Sequence, residues 1–184
     1  MENEVLAAWN ERGAEGAALE VLACCGSRAW ASDVARRRPY AEEGQLFAAA
    51  DEVWRALSVA DWLEAFRRHP RIGEKIGAAR TPAAFDAWSR QEQAQTQSAA
   101  EATMGAIAEG NRQYEQKFGF TYIVCATGKS AEEMLAILRR RLLSDRDAEL
   151  WEAAEQQRQI TQIRLRKWLA NKPEDLNQAM NEVR

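Results

Sequence analysis

One histidine and three cysteines among 184 residues leave little material for metal or redox chemistry. The cysteines, Cys24, Cys25 and Cys125, are odd in number and contain no CxxC pair, which argues against both a disulfide framework and a structural zinc site. Unpaired thiols suit a reducing compartment and predict a cytoplasmic protein. Positive charge is also scarce: the formal net charge is -3 and the pI about 5.4. The chain therefore lacks the global field that draws proteins to nucleic acid or anionic lipid, and an anionic ligand has to be met by local cations. No apolar run approaches the roughly 18 residues needed to cross a bilayer. The start, Met1-Glu2-Asn3-Glu4, is acidic rather than signal-like, and the end, Asn181-Glu182-Val183-Arg184, is not of the peroxisomal Ser-Lys-Leu type. Neither nucleic acid nor membrane is expected as a partner.

Glycine and proline are few and fall at plausible element boundaries, while alanine, leucine, glutamate, glutamine and arginine dominate. That composition predicts an all-α protein of seven to nine helices in one compact domain over 1–184, with 172–184 as a last short helix or a frayed tail. The clearest helix runs from Ser130 to Leu143. Ser130 serves as its N-cap, Glu132 and Glu133 occupy the first turn, Met134, Leu135, Leu138 and Leu142 share one face, and Arg139 to Arg141 sit near the negative end of the dipole. Glu42 to Leu57 and Ala60 to Arg68 read as two further helices. Thr81-Pro82 opens a long amphipathic stretch toward Phe118, with a break expected near Gly110. Trp9, Trp30, Trp54 and Trp62 read as core residues, because no basic stripe is interleaved with them.

The helical pattern is interrupted twice. In His69-Pro70-Arg71-Ile72-Gly73, Pro70 pushes its predecessor out of the αR region and Gly73 permits a sharp turn, so His69 is presented from a helix end. After Phe118-Gly119-Phe120, the run Thr121 to Cys125 is β-branched and aromatic and predicts a short extended segment near 120–126. Without sheet partners, such a segment leaves backbone N–H and C=O groups to be satisfied by a planar amide-like ligand, by water, or by pairing elsewhere.

Three places carry candidate chemistry. His69 is the one side chain that ordinarily titrates near neutrality, although a lone histidine can equally cap a helix, hydrogen-bond in the core or stand in solvent. In Trp88-Ser89-Arg90-Gln91-Glu92-Gln93, helical spacing puts Ser89, Glu92 and Gln93 on one face, which is an ordinary solvated face unless it lies against His69. Around Ile160 to Leu169, the helical wheel sets Arg164 between Ile160, Ile163 and Trp168, with Lys167 near the same arc. An arginine in an apolar arc calls for a partner: an ion pair, a snorkelling path to water, or a carboxylate ligand. Cys24 and Cys25 end an apolar helix with no histidine near them in sequence and read as packing residues.

These segments, in order, resemble the 2-oxo-4-hydroxy-4-carboxy-5-ureidoimidazoline (OHCU) decarboxylases over about Cys24 to Leu169. The pieces that carry the likeness are Cys24-Cys25-Gly26-Ser27 with Trp30-Ala31, Arg38-Pro39-Tyr40, His69-Pro70-Arg71-Ile72-Gly73, Ser89-Arg90-Gln91-Glu92-Gln93, Asn111 and Tyr114 with Lys117-Phe118-Gly119-Phe120, and Ile163-Arg164-Leu165. The resemblance implies an all-α homodimer that needs no metal or organic cofactor and converts OHCU to (S)-allantoin in urate breakdown. It implies His69, Glu92 and Arg164 as catalytic residues, and Pro70, Ser89 and Gln93 as substrate-binding residues. The backbone of Tyr122, Ile123, Val124, Cys125 and Ala126 would hold the heterocycle. Two alternatives share this architecture: a non-catalytic helical interaction module, and an enzyme acting on a different ureide or hydantoin.

Overall fold

The computed structural model describes residues 3–72 and 101–170. Within them are eight helices: α1 (Glu4–Asn10), α2 (Ala14–Cys25), α3 (Arg28–Arg36), α4 (Glu43–Ala56), α5 (Val59–Phe66), α6 (Glu101–Phe118), α7 (Ala131–Arg141) and α8 (Arg146–Leu169). No strand occurs among the described residues. The predicted helix starting at Thr81 lies outside them until Glu101, as does the predicted tail at 172–184.

Local signals account for the boundaries. Ser130 accepts from the Glu133 N–H while the Glu133 side chain accepts from the Ser130 N–H, a reciprocal capping box that satisfies two donors at the head of α7. Ser58 and Asp61 do the same for α5. Gly26 ends α2 at φ 91°, a left-handed conformation that glycine adopts without steric cost. A Cβ there would also meet the Arg68 side chain at 3.0 Å and the Ala65 carbonyl oxygen at 3.4 Å, so Gly26 lets the end of α2 approach the end of α5.

The expected break near Gly110 does not exist: α6 runs unbroken through it. Here the glycine serves packing, because a Cβ would stand 2.6 Å from Leu138 Cδ2 on α7. Its missing side chain is what lets α6 and α7 lie close together.

Buried apolar residues from all eight helices form one cluster. Four tryptophans anchor it, each donating its indole N–H to a backbone carbonyl: Trp9 to Ala17 (2.9 Å), Trp30 to Ala50 (3.0 Å), Trp54 to Ala154 (2.9 Å) and Trp62 to Trp54 (2.9 Å). A large ring thus enters the core without leaving a polar atom unsatisfied. The last helix, α8, is the axis of the arrangement and packs against α2, α4 and α5. Its inward face carries Gln157, Thr161 and Arg164 among the apolar residues.

Candidate active site

The corner bearing His69 follows directly from α5. The His69 N–H donates to the Phe66 carbonyl at 3.1 Å, which continues the helix end by one tight turn. Beyond Pro70 the chain is fastened to α6. Arg71 makes a two-pronged ion pair with Glu115, Nε to Oε1 at 2.6 Å and Nη2 to Oε2 at 2.7 Å, and Asn111 Nδ2 donates to the Ile72 carbonyl at 2.7 Å. Two residues of α6 therefore set the direction in which the imidazole leaves the backbone.

His69 and Pro70 are half-buried, and His69 Nε2 is closed off from solvent. Burial, reinforced by the positive charge of Arg164, pushes the imidazole pKa down to about 3, with the neighbouring Gln157 side chain acting in the opposite sense. The ring is neutral at physiological pH. Arg164 is fully buried, whereas Lys167 is only half-buried, so the helical-wheel ambiguity between them resolves in favour of Arg164 as the inward cation.

Tyr122 to Ala126 form an irregular extended segment, buried and without a strand partner among the described residues. Its backbone is nonetheless less open than the sequence suggests. Arg141 donates to the Ile123 carbonyl at 2.7 Å, the Cys125 N–H donates to Gln156 Oε1 at 2.9 Å, and Lys129 Nζ donates to the Cys125 carbonyl at 2.8 Å. Side chains hold these groups where a sheet would otherwise do so. Gln156 and Gln157 are consecutive on α8. Gln157 neighbours His69, and Gln156 holds the extended segment.

Behind the segment lies a buried polar network that the sequence concealed. Arg141 is 2% exposed and Glu149 1% exposed, and Arg141 Nε donates to Glu149 Oε1 at 2.7 Å. The Tyr114 hydroxyl also donates to Glu149 Oε1 and accepts from Arg141. The guanidinium lies over the Tyr122 ring, 4.9 Å from its centroid. Burial works against the Arg141 charge, but the Glu149 carboxylate and the Tyr114 and Tyr122 hydroxyls more than offset it.

The structure therefore brings His69 to the inner face of α8 beside Arg164, and ties the Tyr122 to Ala126 segment to the flank of the same helix through Gln156. Ser89, Glu92 and Gln93 lie outside the described residues. Cys24 and Cys25 are fully buried, with both thiols pushed to higher pKa by burial. Among the described residues, no three His, Cys, Asp or Glu side chains group so as to hold a metal ion, and no helix is long and apolar enough to cross a membrane.

Comparison with known proteins gives a consistent likeness. Residues 10–166 match the family described as OHCU decarboxylase. The chain is 35% identical over 154 residues to the uric acid degradation bifunctional protein TTL of Arabidopsis thaliana, covering 81% of this chain and 46% of that protein, so it spans less than half of that relative. It is 34% identical over 134 residues to the 2-oxo-4-hydroxy-4-carboxy-5-ureidoimidazoline decarboxylase of Amia calva, covering 70% of this chain and 73% of that one. Among solved structures, an OHCU decarboxylase crystallised in the presence of (S)-allantoin superimposes with a TM-score of 0.70 at 32% identity, over 83% of this chain and 98% of that one.

Proposed function

The chain belongs to the OHCU decarboxylase family, and from that membership we propose that it decarboxylates 2-oxo-4-hydroxy-4-carboxy-5-ureidoimidazoline to (S)-allantoin in urate catabolism. The observation that carries this reading is the gathering around α8 of an imidazole, a fully buried arginine and an extended backbone segment.

The chemistry asks little else of the protein. Loss of CO2 breaks the bond between the ring carbon and the carboxylate and leaves the electron pair on the substrate, where the adjacent imine and carbonyl system absorbs it. The substrate is then its own electron sink, and no pyridoxal or thiamine group is needed to stabilise a carbanion. Orientation, charge stabilisation and a proton delivered to one face remain for the enzyme. Arg164 receives the carboxylate, for which a buried guanidinium is suited by its fork of donors. The backbone of Tyr122 to Ala126 holds the ring, and Pro70, Ser89 and Gln93 complete the binding surface. His69 exchanges a proton with the substrate hydroxyl and reacting centre. Glu92 is assigned the support of the imidazole, by orienting or charging it.

On the family likeness alone, we extend the reading to a homodimer working without metal or organic cofactor. Cytoplasmic location rests on the three unpaired cysteines. The test is to generate OHCU freshly from urate and follow chiral allantoin by circular dichroism. The protein should accelerate appearance of the (S) signal, and folded His69→Asn should not. Stereospecific turnover by the variant at the normal rate would remove His69 from the mechanism.

A further inference from the structure

The polar atoms of the extended segment fall into two sets. The Ile123 carbonyl accepts from Arg141 at 2.7 Å, the Cys125 N–H donates to Gln156 Oε1 at 2.9 Å, and the Cys125 carbonyl accepts from Lys129 Nζ at 2.8 Å. These atoms belong to three successive peptides, all trans. In a planar trans peptide the N–H and C=O point in opposite directions. Each clamp therefore turns the other polar atom of its peptide away from itself: the Val124 N–H from Arg141, the Val124 carbonyl from Gln156 and the Ala126 N–H from Lys129. In an extended chain these three atoms share one edge, in the order donor, acceptor, donor. The run ends there, because the Ala126 carbonyl accepts from the Lys129 N–H at 3.0 Å.

Among the described residues no hydrogen bond reaches any of the three atoms, although Val124 is only 6% and Ala126 7% exposed. Buried backbone groups without a partner are rare and costly, so this edge is suited to a ligand. A donor beside an acceptor is answered by an N–H beside a carbonyl, which every cyclic urea carries on its ring. Resting on the proposed role of the segment, we infer that Gln156 is a positioning residue: by holding the Cys125 N–H it aims the Val124 carbonyl at the ring N–H of a cyclic urea, whose neighbouring oxygen meets a flanking backbone N–H.

Gln156 is itself held in one orientation. Its Nε2 donates to Glu152 Oε1 at 3.0 Å, a group that accepts, while its Oε1 faces the Cys125 N–H, a group that can only donate. A flipped amide would set like against like at both ends. Arg141 shares the task of aiming the segment, but it also belongs to the buried ion pair with Glu149, so its loss would mix folding with binding. Gln156 is half-buried on the flank of α8 and keeps the two apart.

Val124-Cys125 is the sole valine-cysteine step in the chain, so protein carrying 13C-carbonyl valine and 15N-cysteine shows one doubly labelled peptide by NMR. Saturating (S)-allantoin, whose ring has an N–H between two carbonyls, should move the Val124 carbonyl carbon downfield in the parent protein. Gln156→Met should weaken that response and raise KM for OHCU about fivefold or more with kcat changed less than about threefold, as expected for one well-aimed hydrogen bond lost from binding. The paired exchange of Glu152→Gln with Gln156→Glu swaps the ends of their hydrogen bond and keeps an acceptor for Cys125, so KM should stay within about twofold of the parent. The parent response and the exchanged pair test the inference whether or not the methionine variant folds. A Val124 carbonyl that ignores (S)-allantoin, an unchanged KM in folded Gln156→Met, or a KM in the folded exchanged pair as high as that expected for Gln156→Met would each overturn it. In those cases a parent protein that still accelerates (S)-allantoin formation leaves the proposed reaction standing; a parent that does not overturns both.

Discussion

Replacing Arg141 with methionine keeps most of the side-chain volume and removes the guanidinium from a site that is 2% exposed. Glu149 then loses its cation, and within a site 1% exposed its carboxylate keeps the Tyr114 hydroxyl as the described donor. The Ile123 carbonyl loses its 2.7 Å donor in the same step. Breaking one side of a buried ion pair costs about 3–5 kcal/mol, because the remaining charge is left uncompensated. Against a typical domain stability of roughly 5–15 kcal/mol, that is a large fraction of the whole. Urea unfolding of Arg141→Met with linear extrapolation should show a loss in that range. The decisive comparison is the double variant Arg141→Met, Glu149→Gln, which removes the orphaned charge together with its partner. It should be more stable than Arg141→Met alone and depart from additivity by at least about 1 kcal/mol. A single variant costing less than about 1 kcal/mol, or strictly additive losses, would refute the view that this network is a coupled buried pair.

The low imidazole pKa, about 3 in the fold against about 6.5 in an unfolded chain, gives a second expectation. Between those values the unfolded state binds the extra proton, so this contribution is fully present above pH 6.5 and is lost as pH falls toward 3, by up to about 1.4 kcal/mol per unit. Urea unfolding between pH 7.5 and 5.5 should show this decline in the parent protein and not in His69→Gln; equal pH dependence of the two would refute it. Gly110→Ala should destabilise by about 1–3 kcal/mol through the clash with Leu138, measured by thermal unfolding, with a smaller loss when Leu138→Ala is the background. Cys24 and Cys25, fully buried and with the Cys25 thiol raised to about 12, should resist a disulfide reagent at pH 8 in native protein, and rapid labelling of either would contradict their assignment to the core.

Helix locations were legible because their signals are local. The Ser130 to Glu133 capping box and the apolar stripe through Met134 and Leu138 mark α7 within eleven residues. Arg164 was legible for the same reason: an arginine flanked around the helical wheel by Ile160, Ile163 and Trp168 has few ways to reach water. Arg141 escaped because it closes a run of three arginines at a helix end, where solvated cations are ordinary. Its spacing from Met134 and Leu138, seven and three residues, did place it on their face, but the residue that makes such a position tolerable, Glu149, lies on another helix. Gln157 was hidden by its surroundings, Glu155-Gln156-Gln157-Arg158-Gln159, a stretch whose composition reads as solvent-facing. Gly110 illustrates the converse problem. A glycine permits a break or a close contact, and only the position of Leu138 decides between them.

The extended segment has a consequence for how the protein fails. Thr121-Tyr122-Ile123-Val124-Cys125-Ala126 contains no charge and no proline, and its residues favour strands. In the native fold it is kept from pairing with another chain by helices that cover it and by Arg141, Gln156 and Lys129, which occupy part of its backbone. Opening of α7 or α8 uncovers a six-residue sticky edge of the kind that seeds intermolecular sheets. The backbone proposed to hold a flat heterocycle is therefore also the place where heat should turn unfolding into precipitation, at a rate that climbs with protein concentration.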